Sequence, residues 1–255
     1  MQGLNIAVAS SDGQCQMVSQ SDYEFSNKVV LITGSSGAVG SRVLDFFTSH
    51  GATTIGTYLN DKNIDTTRSK SEAIDFIRCN TMNNADVTSL VSTITRKHSR
   101  IDILVNTAGG YIGGMSVVDL VEEDWNKMLG LNLLSAFLIT KHVLPLMLQS
   151  GYGKIVHISS FAGVSAKGLD SAYASSKAGL IRFVESVSKE VKDYDLTVNC
   201  VLPSIIDTDS NRKMMPDAEF KQWVKVDELV SIIAFLSSDH SRAITGSAIP
   251  VLKPT

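Results

Sequence analysis

Val29-Val30-Leu31-Ile32-Thr33-Gly34-Ser35-Ser36-Gly37-Ala38-Val39-Gly40 is the stretch on which the fold turns. Four apolar residues in a row read as a fully buried strand. Three glycines follow, and then a helical pattern over 38–50. Glycines at such a junction let the backbone turn tightly and come close to a pyrophosphate, which sits at the positive end of the helix. Three glycines alone are a weak signal. The strand before them and the helix after them make the nucleotide reading strong.

Outward from this junction, apolar strands alternate with helical patterns. The strand candidates are 28–33, 53–58, 74–79, 101–106, 153–159, 196–202 and 247–251. Helical patterns lie at 38–50, about 85–99, 122–149, 172–192 and 226–237. This alternation predicts an α/β fold, a single Rossmann-type doubly wound parallel sheet of about seven strands with helices on both faces. Ligands of such sheets bind at the carboxyl ends of the strands. Residues 203–225, with Pro203 and Pro216, show no clear element and read as a substrate loop or lid. Residues 25–255 form the one domain. Residues 1–24 read as an N-terminal extension, either a hairpin around Ser11-Asp12-Gly13 or a disordered tail.

Composition narrows the classes. The chain has 255 residues and a net charge of −3, which gives no electrostatic case for nucleic acid or an anionic membrane. No apolar run reaches the roughly 18 residues of a membrane span. Residues 1–24 lack the basic start and apolar stretch of a secretory signal. Cys15, Cys79 and Cys200 are far apart, which suggests a reducing, cytoplasmic setting. Neither they nor the five histidines have metal-ligand spacing, so no metal site is expected.

A second constellation carries the chemistry. Ile155-Val156-His157-Ile158-Ser159-Ser160 ends an apolar strand in a serine, and Tyr173-Ala174-Ser175-Ser176-Lys177 follows on a helix. Residues four apart share a helix face. An ammonium near the Tyr173 phenol favours the phenolate. A phenol so tuned can give a proton to a carbonyl oxygen or take one from an alcohol. His157 reads as packed within the fold, and Asp102 as a residue that orders the glycine loop or a turn.

Thr33-Gly34…Gly40, Asn106-Thr107-Ala108-Gly109, Asn132, Ser160, Tyr173, Lys177 and Pro203 together resemble the short-chain dehydrogenases/reductases in order and spacing. The likeness spans roughly residues 27–250. It implies an NAD(P)(H)-dependent oxidoreductase passing hydride between nicotinamide and a carbonyl or alcohol. By that resemblance Tyr173, Lys177, Ser160 and Asn132 are catalytic: acid, pKa-lowering cation and ribose ligand, carbonyl holder, and holder of a relay water. The cofactor contacts it implies are Gly34, Ser36, Gly37, Ala38, Val39, Gly40, Tyr58, Asn80, Asn106, Ala108, Gly109, Tyr173, Lys177, Pro203, Ile206 and Thr208. The alternative reading of Thr208 alone is a turn or cap residue.

Three departures stand out. Ala38 replaces the usual middle glycine of the loop, with Gly37 one place earlier, and Ser204 follows Pro203 where a glycine is usual. The second strand ends in Tyr58-Leu59, with no acid to repel a 2′-phosphate, which favours NADP(H) and leaves NAD(H) possible. Arg42 and Lys62 are the basic candidates for that phosphate. Residues 108–114 and 207–223 also resemble the quinonoid dihydropteridine reductases, an atypical branch that lacks the catalytic serine; this chain keeps Ser160. A pterin-like substrate is therefore the alternative to a carbonyl compound. A nucleotide-sensing binding protein on the same fold is the alternative of another class. Ala174, Ala178, Ile181, Phe183, Val184, Val187 and Val191 look like more apolar surface than a sheet can cover, which predicts a homotetramer or homodimer.

Overall fold

The computed structural model describes residues 6–9, 15–18, 23–60 and 74–253. At the start of the chain β1 (Ile6–Ala9) pairs antiparallel with β2 (Cys15–Val18), Ile6 opposite Val18. The Asp12-Gly13 turn inferred between them lies outside the described residues.

The domain then runs β3 (Val29–Thr33), α1 (Ala38–Ser49), β4 (Thr53–Tyr58), β5 (Ile74–Arg78), α2 (Asn84–His98) and β6 (Ile103–Asn106). It continues with α3 (Glu122–Leu129), α4 (Ser135–Ser150), β7 (Tyr152–Ile158), α5 (Ser171–Glu190), β8 (Asp195–Pro203) and β9 (Ile206–Asp207). α6 (Asp209–Met214), β10 (Val224–Lys225), α7 (Val226–Ser237) and β11 (Ala248–Val251) complete it. The main sheet has seven strands in the order β11-β8-β7-β6-β3-β4-β5. Every neighbouring pair is parallel. This is the doubly wound architecture that the strand–helix alternation predicts.

The packing follows from period. Successive strand residues face opposite sides. Leu31, Leu104, Ile155 and Val198 join α2, α4 and α5 in one core. Val30, Ile32, Val105, Val156 and Val201 join α1 and α7 in the other. Gly40, Val43, Leu44 and Phe47 form the buried stripe of α1, at the spacing one helix face requires. Val87, Leu90, Val91 and Ile94 do the same for α2.

Strand order reverses between β3 and β6, whose ends Thr33 and Asn106 lie side by side. A crevice opens at such a reversal, outside the carboxyl ends of the strands.

Two expectations are revised here. The predicted single helix 122–149 is interrupted by a π-helical turn at Gly130–Leu134 between α3 and α4. With that turn, residues 122–150 form a continuous helical run of 29 residues, long and apolar enough to cross a membrane by length and composition. Its face Ala136, Leu138, Ile139, Val143 and Met147 is buried in the domain, as in a core helix. The stretch 203–225 also has structure. β9 pairs parallel with β10, Ile206 beside Val224, and α6 lies between them. Two-residue strands carry no readable period, so the sequence pattern does not reveal them.

Candidate active site

The glycine loop leaves β3 at Gly34, whose φ of +67° is a left-handed conformation that favours glycine. A side chain at Gly40 would collide with the Gly34 carbonyl oxygen and with the Thr107 hydroxyl. The loop is therefore pressed flat between β3 and the segment after β6. Thr107 Oγ1 donates to the Thr33 carbonyl at 2.6 Å, and Ser35 N–H donates to the Thr57 carbonyl at 2.9 Å. Gly37 caps α1 in an extended conformation with no side-chain cap bond, and no acidic residue lies in the first turn. The first N–H groups of a helix have no partner within it. Here they face the crevice with the positive helix end behind them, a fit to a pyrophosphate. Ala38 is the first residue of the helix, where the backbone has helical angles that alanine takes freely.

Asn106 ends β6 fully enclosed. It accepts a short hydrogen bond from Thr33 Oγ1, and its amide nitrogen lies 3.1 Å from His157 Nδ1. Its side chain is thus spent on joining β3, β6 and β7. Thr140 Oγ1 meets the other His157 nitrogen at 3.2 Å, and burial lowers that imidazole to about 3, so it stays neutral. His157 is packed, as expected. Asp102 is buried at the opposite, amino end of the sheet, where Oδ2 accepts from Val29 N–H at 2.8 Å. It orders the entry of β3 and not the glycine loop, because it precedes its strand and in a parallel sheet all starts share one edge.

Asn132 sits in the π-helical turn, 1% exposed. Its Oδ1 accepts from Gly110 N–H at 3.0 Å, and its Nδ2 donates to the Gly110 carbonyl at 3.1 Å and to Ser176 Oγ at 3.0 Å. One amide ties the loop after β6 to α5. π-turns inside α-helices occur frequently at functional sites.

Ser160 follows β7 in extended backbone, and its Oγ accepts from Ala162 N–H at 3.2 Å. The hydroxyl proton is left to donate, and Ser160 stands close enough to the Tyr173 phenol to lower its pKa. Tyr173 and Lys177 stand one turn apart on α5. Burial pushes the Tyr173 phenol above its ordinary value of 10.0, Ser160 pulls it back, and Asp170 adds to the rise. The expectation that Lys177 favours the phenolate fails here. The Lys177 ammonium donates to the Ile158 carbonyl at 2.8 Å and lies 5.9 Å from the Tyr173 ring centre. Burial lowers Lys177 itself to about 8. It carries its charge below that pH and loses it as pH rises through it. At neutral pH the site therefore holds a protonated phenol and a charged ammonium, the state suited to giving a proton.

The other expected contacts are spread around the crevice. Tyr58 ends β4, half-buried, and Asn80 follows β5. Asn80 Oδ1 accepts from Met82 N–H at 3.1 Å, so its side chain also shapes a turn. Pro203 ends β8, buried. The Ile206 carbonyl accepts from Asn211 Nδ2 at 2.8 Å, and Thr208 caps α6 by accepting from Asn211 N–H at 3.2 Å. Thr208 has the cap role that its residue type alone suggests. Arg42 is turned away to Asp227, with Nη2 to Oδ1 at 2.9 Å, and Lys62 lies outside the described residues. One basic residue was missed. Arg78 ends β5 in register with Tyr58, and its Nε donates to the Leu59 carbonyl at 3.2 Å. Placing β5 next to β4 was the signal that could have found it. Among the described residues no group of three or more His, Cys, Asp or Glu could hold a metal ion.

A sequence model of the family described as short chain dehydrogenase matches residues 28–219. This chain belongs to the short-chain dehydrogenase/reductase family. It is 31% identical over 236 residues to the 3-oxoacyl-[acyl-carrier-protein] reductase FabG of Thermotoga maritima, covering 88% of this chain and 96% of that protein. The FabG of Escherichia coli is also 31% identical, over 243 residues, 89% of this chain and 96% of that protein. The solved structure of a short-chain type dehydrogenase/reductase from Mycobacterium ulcerans superposes with a TM-score of 0.85 at 23% identity, covering 90% of both chains, a likeness of fold. As a short-chain dehydrogenase/reductase, the chain is an oxidoreductase that passes hydride between a nicotinamide dinucleotide and a CH–OH/C=O substrate.

Proposed function

We propose that this short-chain oxidoreductase reduces a carbonyl compound at the expense of NADPH, with Tyr173 as the acid. The observation that carries the reading is the grouping of Ser160 after β7 with a protonated, half-buried Tyr173 and the charged, buried Lys177 one turn apart on α5. Gly34, Ser36, Gly37, Ala38, Val39 and Gly40 would hold the pyrophosphate, with Ala108 and Gly109 along the ribose. Pro203 and Ile206 would flank the nicotinamide. When bound, the cofactor supplies the hydride. Tyr173 gives the proton to the carbonyl oxygen, Ser160 holds that oxygen as charge develops on it, and Lys177 offers N–H donors toward the ribose. Asn132 anchors the loop that frames the proton path.

Ser160 favours a ketone over a quinonoid pterin, since only the ketone needs a donor at that oxygen. The 3-oxoacyl thioesters named for the two relatives are the first substrates to assay.

Preference for NADP(H) is supported by the lack of a carboxylate at Tyr58 and by Arg78 beside it. Arg78→Ala and Tyr58→Asp are each expected to weaken NADPH binding about tenfold, the loss of one charge-assisted hydrogen bond or its replacement by repulsion. NADH binding should change little in the first and improve in the second. Fluorescence titration with both cofactors checks this. Tighter binding of NADH than NADPH to the unmodified protein refutes it.

The chain is further proposed to form a homo-oligomer, on different grounds from those first drawn. Ala174, Ile181, Val184, Val187 and Val191 are buried within one subunit and offer no surplus. Leu134 and Phe137 on the neighbouring helix are 44% and 41% exposed, and Phe137 meets the half-buried Phe183 edge-on at 6.3 Å. A second copy would cover this patch through a two-fold contact. Sedimentation should show a dimer or tetramer, reduced towards monomer by Phe137→Glu. A monomer at micromolar concentration for the unmodified protein refutes the assembly.

A further inference from the structure

Beside Tyr173 lies a pair of groups that the chemistry above does not use. Tyr111, from the loop after β6, donates its O–H to Asp170 Oδ1 at 2.8 Å. Asp170 immediately precedes α5 and stands three residues before Tyr173. The Tyr111 ring meets the Tyr173 ring edge-on, with centroids 4.9 Å apart and planes at 82°. A second bond joins the same two loops, Gly114 N–H to the Leu169 carbonyl at 2.9 Å. Leu169 has a φ of +69°, a strained conformation for leucine that persists only where the surroundings enforce it. A side chain on Gly113 would collide with both Asp170 Oδ1 and Tyr111 Oη. The gap at Gly113 and the Leu169 backbone both adjoin this contact.

We propose that Tyr111 and Asp170 clasp the loop after β6 to the start of α5, and that this clasp is the positioning element for the Tyr173 phenol. It rests on the reading of Tyr173 as the acid. The edge-on ring fixes the plane of Tyr173, and the hydrogen bond to Asp170 fixes the edge-on ring. Position matters steeply in proton transfer, since a misplacement of about 1 Å can cost 10²-fold. The charged and titratable groups facing Tyr173 among the described residues are Tyr111, Asp170 and Lys177, with the Ser160 hydroxyl opposite. Asp170 is the one anion of the set, so it also disfavours the phenolate and keeps the proton on Tyr173.

Three substitutions test the clasp. In Asp170→Asn the amide oxygen still accepts from Tyr111, and only the charge is lost. The rise of alcohol oxidation with pH, which needs the phenolate, should move down by about half a unit or more. Tyr111→Phe keeps the ring and loses the bond; Gly113→Ala keeps both partners and forces them apart. Each should lower kcat about tenfold with cofactor affinity unchanged. The phenolate absorbance of Tyr173, taken as the difference between each protein and the same protein carrying Tyr173→Phe, needs no substrate. A titration of Tyr173 that moves in Tyr111→Phe and Gly113→Ala, in a protein that turns over no carbonyl, supports the clasp and defeats the reading of Tyr173 as acid. Turnover that depends on Tyr173, with full kcat in both Tyr111→Phe and Gly113→Ala, overturns the clasp, and an unmoved titration in Asp170→Asn overturns the charge effect of Asp170.

Discussion

Tyr173→Phe is expected to lower kcat for ketone reduction about 10²–10⁴-fold, the usual contribution of a general acid, while cofactor affinity stays near that of the unmodified protein. Only one oxygen is removed. The ring keeps its edge-on contact with Tyr111. Lys177 keeps its place as well, because its ammonium is held by the Ile158 carbonyl and not by the phenol. The cofactor end of the crevice is therefore intact in the variant. What is lost is the proton itself, which burial holds on the phenol at neutral pH. Neither His157 nor Lys177 can substitute for it. His157 is neutral and enclosed, and its two nitrogens face Asn106 and Thr140. Lys177 has the right charge, but its ammonium lies 5.9 Å from the ring centre on the side of the β7 carbonyl. The measurement is a single-turnover rate with cofactor saturating, beside a fluorescence titration of cofactor binding. A variant that keeps more than half of the unmodified rate in that assay removes Tyr173 from the role of acid.

The parts of this fold that depend on local pattern were legible in the chain. Val29–Ile32 is apolar on both faces because both faces of a central parallel strand are covered, and the stripe Gly40, Val43, Leu44, Phe47 announces its helix in the same way. Strand order then follows from the rules of doubly wound sheets. Features made by residues far apart in sequence were not legible. Arg78 and Tyr58 meet through sheet register, and Tyr111 and Asp170 meet across two loops. The π-turn at Asn132 is one extra residue in a helix, too small to disturb a period of 3.6. Charge was the subtlest failure. A lysine four residues from a tyrosine suggests a lowered phenol pKa, yet burial raises the phenol and lowers the ammonium here. Sequence spacing says which groups can meet, and depth beneath the surface decides which way they titrate.

Ser160→Ala is the second large effect, and it separates ketone from pterin chemistry. Ser160 Oγ accepts from Ala162 N–H, which fixes the oxygen and leaves its own proton free to donate. During reduction of a ketone, negative charge grows on the carbonyl oxygen. Removing one pre-oriented donor from such a site costs about 10²–10³ in kcat. A quinonoid ring spreads the charge over its own heteroatoms and needs no such donor. The cap of the short turn at 161–163 is also lost in the alanine variant, a stability cost of about 0.5–2 kcal/mol. Thermal unfolding measures that loss apart from the rate. Ser160→Thr restores both the hydroxyl and the cap, so it should recover most of the activity, whereas a purely structural effect of the cap would appear in the melting temperature and leave kcat of the folded protein unchanged. The carbonyl reading is lost if Ser160→Ala reduces the best substrate as fast as the unmodified protein does.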